Sequence, residues 1–347
     1  MRTALKGLVF GAAEKLLIHT ASRHLFRHSL AVLCYHGVVE KERKKDRTDQ
    51  ALYVNTVSVP EFDAQLQYVA KHFHPISAAD LIGSLTEGKR LPARPVLITF
   101  DDGYRNNAVH AAPVLLKRGI PAIFHLTTGY IGSRAILWPE EIRLRTLEYA
   151  GVTLKTSAKL FHLEGRPGSY QRLAAASRVT HACKRVPVEI KEELLAVLRS
   201  NTPPLPSRYD PEAHDFMNWD EARKLASQGF ELGSHTVSHP ILSQLPPSAV
   251  ASELGDSRTA IEKHTGATCR ILAYPNGSQE DYSQPVMEAA QKAGYGVAFS
   301  VEERMAGPSP CRFAIPRLGV PGHVSQTIFR AKVSGLYLSL RRTTQDS

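Results

Sequence analysis

Long apolar runs are absent from this chain of 347 residues, and no stretch approaches the ~18 apolar residues that a bilayer-crossing helix requires. Cysteine is scarce as well. Cys34, Cys183, Cys269 and Cys311 form no Cys-x-x-Cys pair, so neither a disulfide framework nor a zinc knuckle is indicated. Cys34 and Cys269 lie beside apolar segments and are expected to be small core residues. The thiols are expected to be reduced, inside the cell.

Acidic residues are outnumbered, since 43 Lys and Arg face 33 Asp and Glu and leave a formal charge of +10. No recognised nucleic-acid-binding motif accompanies this charge, so no nucleic-acid partner is expected. The basic residues are spread along the chain, apart from a run at residues 41–47 that is typical of a solvated loop. The excess of positive charge favours anionic partners such as acidic lipid head groups or a phosphate-bearing substrate.

Residues 1–29 have the pattern of a basic amphipathic helix, with Leu5, Val9 and Leu16 on one face. Charged residues interrupt its apolar stretch and no small-residue cleavage site follows, so a signal peptide is not indicated. Burial against the domain is the first expectation for such a helix. The alternative is peripheral contact with a membrane surface. The predicted location is cytoplasmic, or peripheral at the inner face of the membrane.

Two adjacent carboxylates follow a buried-strand pattern at residues 95–98. Asp101 and Asp102 come where the strand ends, and Gly103 lets the backbone turn away. Side chains alternate along an extended chain, so the two carboxylates initially point in different directions. One can bind a cation while the other reaches substrate or water. Asp-Asp-Gly alone also fits a solvated turn.

A pair of histidines provides further candidate metal ligands beside the two carboxylates. His235 and His239 follow a second short apolar run. Their spacing predicts one helical turn with both imidazoles on the same face. Two neutral imidazoles and one carboxylate form a three-ligand site for a borderline metal such as zinc, and one coordination position is left for water.

These segments resemble a known family. Residues 99–103 and 235–239 are similar to the first two motifs of the polysaccharide deacetylases, the NodB-homology or carbohydrate esterase family 4 enzymes. Residues 219–225 resemble the lead-in to the histidine motif, and residues 273–277 resemble the third motif. The resemblance covers about residues 34–320, with one long interruption.

Fold and domain organisation follow from the pattern and from the resemblance. Strands that alternate with helices predict a parallel sheet with helices outside, and the candidate side chains lie at strand ends, where active sites of α/β barrels occur. The resemblance implies an α/β fold of the distorted (β/α)7-type (NodB-like). We expect the barrel at residues 30–137 and 216–345, with a helical insertion at residues 138–215.

The resemblance also implies an activity and the residues that perform it. Asp102, His235 and His239 would hold one divalent metal ion, expected to be Zn²⁺, and Asp101 would be the base. The implied reaction removes N-acetyl groups from an N-acetylated amino sugar in a polysaccharide, oligosaccharide or glycolipid. The alternatives are a non-catalytic carbohydrate-binding protein and the same hydrolysis on a non-sugar amide.

The general acid is the point at which this chain departs from the common pattern, because the late Leu-x-His motif is missing. Residues 34–38 resemble instead the Tyr-His element near the N-terminus of the permuted poly-N-acetylglucosamine deacetylases. His36 is therefore the predicted acid, and His323 is the alternative.

The third motif departs from the family as well. Its usual arginine is displaced, and Arg317 is the candidate for the missing charge. Tyr274 and Asn276 are candidates for binding the oxyanion or substrate, Tyr274 through backbone N–H groups that follow it.

Overall fold

The computed structural model describes residues 18–41, 47–322 and 324–337. Most of the predicted N-terminal helix lies outside these residues, and its described part is helix α1 (Ile18–Leu25). Contacts within the chain define two compact units. The first comprises residues 1–42, 55–132 and 216–347, and the second comprises residues 43–54 and 133–215. Within the described ranges no helix is both long and apolar enough to cross a membrane.

The first unit is built on one large sheet. Its strands are β1 (Ala31–Tyr35), β4 (His74–Pro75), β5 (Pro95–Phe100), β6 (Ala122–Leu126), β9 (Glu231–Ser234), β10 (Ile271–Ala273), β11 (Val297–Phe299) and β12 (Leu318–Gly319). A separate parallel pair consists of β2 (Gly37–Val39) and β3 (Thr56–Ser58).

Helices connect these strands. They are α3 (Val59–His72), α4 (Ala78–Glu87), α5 (Ala112–Arg118), α10 (Trp219–Ser227), α11 (Pro247–Thr265), α12 (Gln284–Lys292) and α13 (Gln326–Val333). Their ends follow local sequence rules. Ser58 and Ser77 begin α3 and α4 with capping boxes completed by Glu61 and Asp80. Gly119 ends α5 in the left-handed conformation that glycine adopts without a steric cost.

The large sheet has the order β11-β10-β9-β6-β5-β1-β12, with β4 also paired to β5. All of its paired strands run parallel. The sheet curls into a half-barrel with helices against it, which confirms the predicted α/β, NodB-like barrel.

Residues that alternate along the strands enter two different hydrophobic clusters. Leu33 of β1 and Ile98 of β5 belong to the cluster that includes Phe62 and Leu66 of α3. Val32, Leu97, Ile123, Ile271 and Ala273 belong to the other cluster. Two residues beyond Val32, Leu97 and Ile123 on the same strands lie the polar residues Cys34, Thr99 and His125. That face therefore carries the site.

The second unit contains all of the segment predicted as the insertion, residues 138–215. Its helices are α2 (Arg47–Leu52), α6 (Trp138–Glu148), α7 (Tyr170–Cys183), α8 (Val188–Ser200) and α9 (Pro211–His214). An antiparallel hairpin of β7 (Thr153–Lys155) and β8 (Leu160–His162) adds a strand element to a segment expected to be helical. Helix α2 begins at Arg47, the last residue of the run at residues 41–47 that was expected to be a solvated loop. Leu52 is buried against Leu144, Leu147 and Leu173, and this packing stabilises a helix too short to form alone.

One arginine organises the loops of this unit. The Arg172 side chain on α7 is almost fully buried and donates to the backbone carbonyls of Tyr149, Gly151, Glu164 and Gly165 at 2.6 to 3.4 Å. Buried carbonyls need donors, so this guanidinium holds together two loops that have no sheet or helix partner.

We predict that Arg172→Met loosens the second unit, because several carbonyls lose their donor at about 1–3 kcal/mol for each unsatisfied group. Amide hydrogen exchange of residues 149–172 should accelerate at least tenfold. Arg178→Met is the matched control, since Arg178 lies on the same helix in an exposed pair with Glu164 and should change little. Equal protection in both variants would contradict this role.

Candidate active site

The strand ends bring the predicted side chains together. His36 directly follows β1, Asp101 follows β5, His235 follows β9 and Tyr274 follows β10. These strands are parallel members of one sheet, so their carboxyl ends meet at one edge.

Asp101 is buried and surrounded by donors. Arg317 forms a bidentate pair with the Asp101 carboxylate, in which Nη1 donates to Oδ1 at 2.7 Å and Nη2 donates to Oδ2 at 2.6 Å. His125 Nδ1 lies 2.9 Å from Oδ1, and because a carboxylate only accepts, this nitrogen carries the proton. Cys34 Sγ lies 3.4 Å from Oδ2. Arg317 therefore places beside Asp101 the positive charge that the third motif lacks.

These contacts decide the protonation state of Asp101. Burial is the largest single influence and acts to raise its pKa, but Arg317, His235 and His125 together outweigh burial and hold the pKa well below its usual range. Asp101 is therefore a carboxylate at neutral pH, the form that accepts a proton.

Asp102 has different neighbours from Asp101, as the alternation of side chains predicts. Its Oδ1 lies 3.5 Å from Nε2 of His235 and 3.5 Å from Nε2 of His239. One ligand atom from each of the three buried residues lies within 4.8 Å of the others. A tetrahedral centre with ligands at about 2.1 Å would separate them by roughly 3.4 Å. The donor set and its spacing fit one divalent cation.

The His235 ring is oriented for ligation. Its Nδ1 donates to the Ala273 carbonyl at 2.7 Å, which leaves the lone pair of Nε2 directed to Asp102. Burial lowers the pKa of His235 to about 4, so the ring is neutral at neutral pH. Neutral imidazole is the ligating form.

The predicted helical turn between the two histidines is wrong. Residues 235–240 form an irregular loop, in which Thr236 has a φ of 66° and His239 a φ of 57°. Glu253 of α11 fixes this loop by accepting from the backbone N–H of Val237 at 2.8 Å and of Ser238 at 2.9 Å. The imidazoles still converge, but a loop rather than a helix face brings them together.

The predicted acid lies at the same edge. A ring nitrogen of half-buried His36 is within 4.8 Å of both an Asp101 carboxylate oxygen and Cys34 Sγ. His36 also lines a cavity of about 330 Å³ together with Arg317 and Lys332. The alternative acid, His323, lies outside the described residues.

Tyr274 and Asn276 are placed differently from each other. The fully buried Tyr274 stacks on Tyr282, and its hydroxyl donates to the Phe313 carbonyl at 3.0 Å, so its side chain belongs to the core. Its own N–H donates to the Phe299 carbonyl. Asn276 has a φ of 59° and a buried Nδ2 without a hydrogen-bond partner, and it stays a candidate for substrate binding.

His125 and Cys34 were not predicted as members of the site. Both could have been found by stepping two residues along a strand, because Ile123 leads to His125 and Val32 leads to Cys34 on the inner face. Gly233 makes room for His125, since a Cβ at this glycine would lie 2.4 Å from His125 Cδ2.

Fold and side chains together define a class of protein: a parallel α/β half-barrel with a paired carboxylate and histidine site at the carboxyl ends of its strands. A sequence model of the family described as polysaccharide deacetylase matches residues 88–162 and 187–298, more than half of the chain. The chain belongs to the polysaccharide deacetylase family.

Individual relatives agree with this assignment. YxkH of Bacillus subtilis (strain 168), named as a polysaccharide deacetylase, is 21% identical over 285 residues, covering 81% of this chain and 72% of YxkH. Streptococcus pyogenes deacetylase PplD, solved in complex with acetate, superposes with a TM-score of 0.58 at 16% identity, over 88% of this chain and 98% of its own. IcaB from Ammonifex degensii gives a TM-score of 0.56 at 19% identity, over 89% and 97%.

We predict that Arg317→Met alone destabilises the metal-free protein by about 3–5 kcal/mol, because Asp101 is left as an uncompensated buried charge. The double variant Asp101→Asn/Arg317→Met should recover part of this loss. Denaturant unfolding at neutral pH measures both. Arg304→Met, which removes an exposed pair with Glu302, is the control and should cost at most about 1 kcal/mol. Additive effects of the two site substitutions would contradict a coupled pair.

Proposed function

We propose that this chain is a metal-dependent hydrolase that removes N-acetyl groups from an N-acetylated amino sugar of a polysaccharide, oligosaccharide or glycolipid. One observation carries the proposal. The Asp101 carboxylate, held ionised by Arg317, directly precedes Asp102, and Asp102 forms the ligand set with His235 and His239. A base beside a ligand set is the arrangement that hydrolysis of an acyl bond needs.

Asp102, His235 and His239 would hold the cation, and we propose Zn²⁺ because two imidazoles and one carboxylate suit it. When bound, such a cation polarises an acyl carbonyl and makes water more acidic. Neutral His235 would bind the metal without adding positive charge.

The chain's own residues handle the protons. Asp101 accepts the proton of the attacking water, and Arg317 and His125 keep its oxygens in place through three hydrogen bonds. His36 gives a proton to the departing nitrogen. An amine leaves poorly as an anion, so an acid at this position favours an amide over an ester as substrate.

The rival assignment is a carbohydrate-binding protein without catalysis. A buried ion pair costs desolvation energy that sugar binding does not require, and this favours the enzyme. Hydrolysis of a non-sugar amide is the second rival. The family and the acetate in the PplD structure support an acetylated glycan. Release of acetate from N-acetylated but not O-acetylated oligosaccharides tests both rivals.

The first functional prediction concerns metal content. Purified protein should contain one divalent ion per chain by mass spectrometry, and His235→Ala or His239→Ala should lose it, because two ligands hold a cation poorly. Asp101→Asn should keep the ion and lose ~10²–10⁴-fold in turnover, as expected for a base. His74→Ala, at an exposed histidine, is the control. Full metal content in both site histidine variants would remove them from the ligand set.

The second functional prediction concerns the acid. His36→Ala should keep metal content and substrate affinity but lose turnover by ~10²–10⁴-fold. The basic limb of the pH–rate profile should change most, because that limb reports loss of the acid's proton. The rate is expressed per folded molecule, with the melting temperature measured in parallel. A folded variant with an unchanged profile would show that the acid lies elsewhere, and His323→Ala would then be the next substitution.

A further inference from the structure

A second set of donor atoms lies against the first. Cys34 Sγ, a ring nitrogen of His36 and a carboxylate oxygen of Asp101 lie within 4.8 Å of one another. Cys34 and Asp101 are buried and His36 is half-buried. A thiolate, an imidazole and a carboxylate together form a donor set for zinc and for other thiophilic divalent ions.

We propose that Cys34, His36 and Asp101 form a second metal site, which takes up a thiophilic divalent cation such as Zn²⁺, Co²⁺ or Cd²⁺ after the Asp102 site is filled. The sulfur distinguishes the two sites chemically, because the Asp102 set contains only nitrogen and oxygen donors.

The contact between Cys34 and Asp101 explains how a cation enters. Sγ lies 3.4 Å from Oδ2, and the thiol donates its proton to the carboxylate in a hydrogen bond. A cation takes the place of this proton: the S–H bond breaks, an S–metal bond forms and one proton is released to solvent. A carboxylate oxygen has two lone pairs, so Oδ2 can accept from Arg317 and bind a cation as well.

One feature makes this site weaker than the first. The Arg317 guanidinium lies 2.6 Å from the same Oδ2 and repels a second cation. Access is provided by the cavity of about 330 Å³ that Cys34, His36 and Arg317 line. Filling is therefore sequential, with the Asp102 site first.

The consequence for catalysis rests on the proposed function. A cation at this site occupies Asp101 and His36, the proposed base and acid. Excess thiophilic metal should therefore inhibit an enzyme that the first equivalent activates. Mg²⁺ prefers oxygen ligands and should not inhibit.

Cobalt spectroscopy tests the site without reference to turnover. Metal-free protein carrying Cys311→Ser, which removes the exposed thiol, is titrated with Co²⁺ under anaerobic conditions with a phosphine reductant. We expect visible d–d bands with the first equivalent. A near-ultraviolet thiolate-to-cobalt charge-transfer band should appear only with the second.

Variants assign the band. Adding Cys34→Ser should abolish it and leave the first-equivalent bands in place, whereas Cys269→Ser, at another buried thiol, should retain it. His36→Ala should raise the cobalt concentration needed for the band at least tenfold, and it tests the site even if Cys34→Ser does not fold. The proposal is overturned if no band appears at any cobalt concentration, if the band survives Cys34→Ser, or if His36→Ala has no effect.

Turnover separates this proposal from the proposed function. The rate of acetate release of each protein is expressed relative to its own highest rate in the Co²⁺ titration. Excess Co²⁺ should reduce this rate at least tenfold in the Cys311→Ser protein, but not in the protein that also carries Cys34→Ser. Absence of acetate release at every metal loading would count against the deacetylase assignment, while the charge-transfer band would still decide the second site.

Discussion

An ionised carboxylate in a protein interior persists only where its charge is compensated, and Asp101 meets this condition through Arg317. Nη1 of Arg317 donates to Oδ1 and Nη2 donates to Oδ2, and His125 Nδ1 donates to Oδ1 as well. Removing one partner would leave a charge that the interior cannot solvate. The ionised state of Asp101 depends on this ion pair. The His125 ring, which donates to the same carboxylate, is oriented by it in turn.

Much of the fold and part of the site could be predicted from the sequence. Alternating strands and helices predicted a parallel sheet with helices outside, and the family resemblance implied the NodB-like barrel. Position at strand ends placed His36, Asp101 and His235 at one edge. The backbone between the two histidines could not be predicted, because spacing alone does not distinguish a helical turn from a loop with left-handed residues. Arg317 was the candidate for the motif's missing charge, and it pairs with Asp101 across 216 residues of sequence.

Among the described residues, five non-glycine residues have a left-handed φ; two of them are proposed metal ligands and a third, Thr236, directly follows the ligand His235. Asp102, Thr236 and His239 have φ angles of 72°, 66° and 57°. Such conformations cost of order 1–3 kcal/mol each and persist where surrounding contacts determine them. Glu253 provides such contacts for the histidine loop, and His239 N–H donates to Thr236 Oγ1 at 3.1 Å. The ligand positions are thus set by the fold before any cation binds.

The pairing of β1 with β12, in which Leu33 lies beside Leu318, has a consequence for synthesis on the ribosome. All three proposed metal ligands are present once residue 239 has been made, but Arg317 follows 78 residues later along the chain. Until then the Asp101 carboxylate lacks its countercharge, and β1 lacks its neighbour. A nascent chain can therefore assemble the proposed cation ligands well before it can pair Asp101 with Arg317, and the last strand of the sheet completes the proposed catalytic centre.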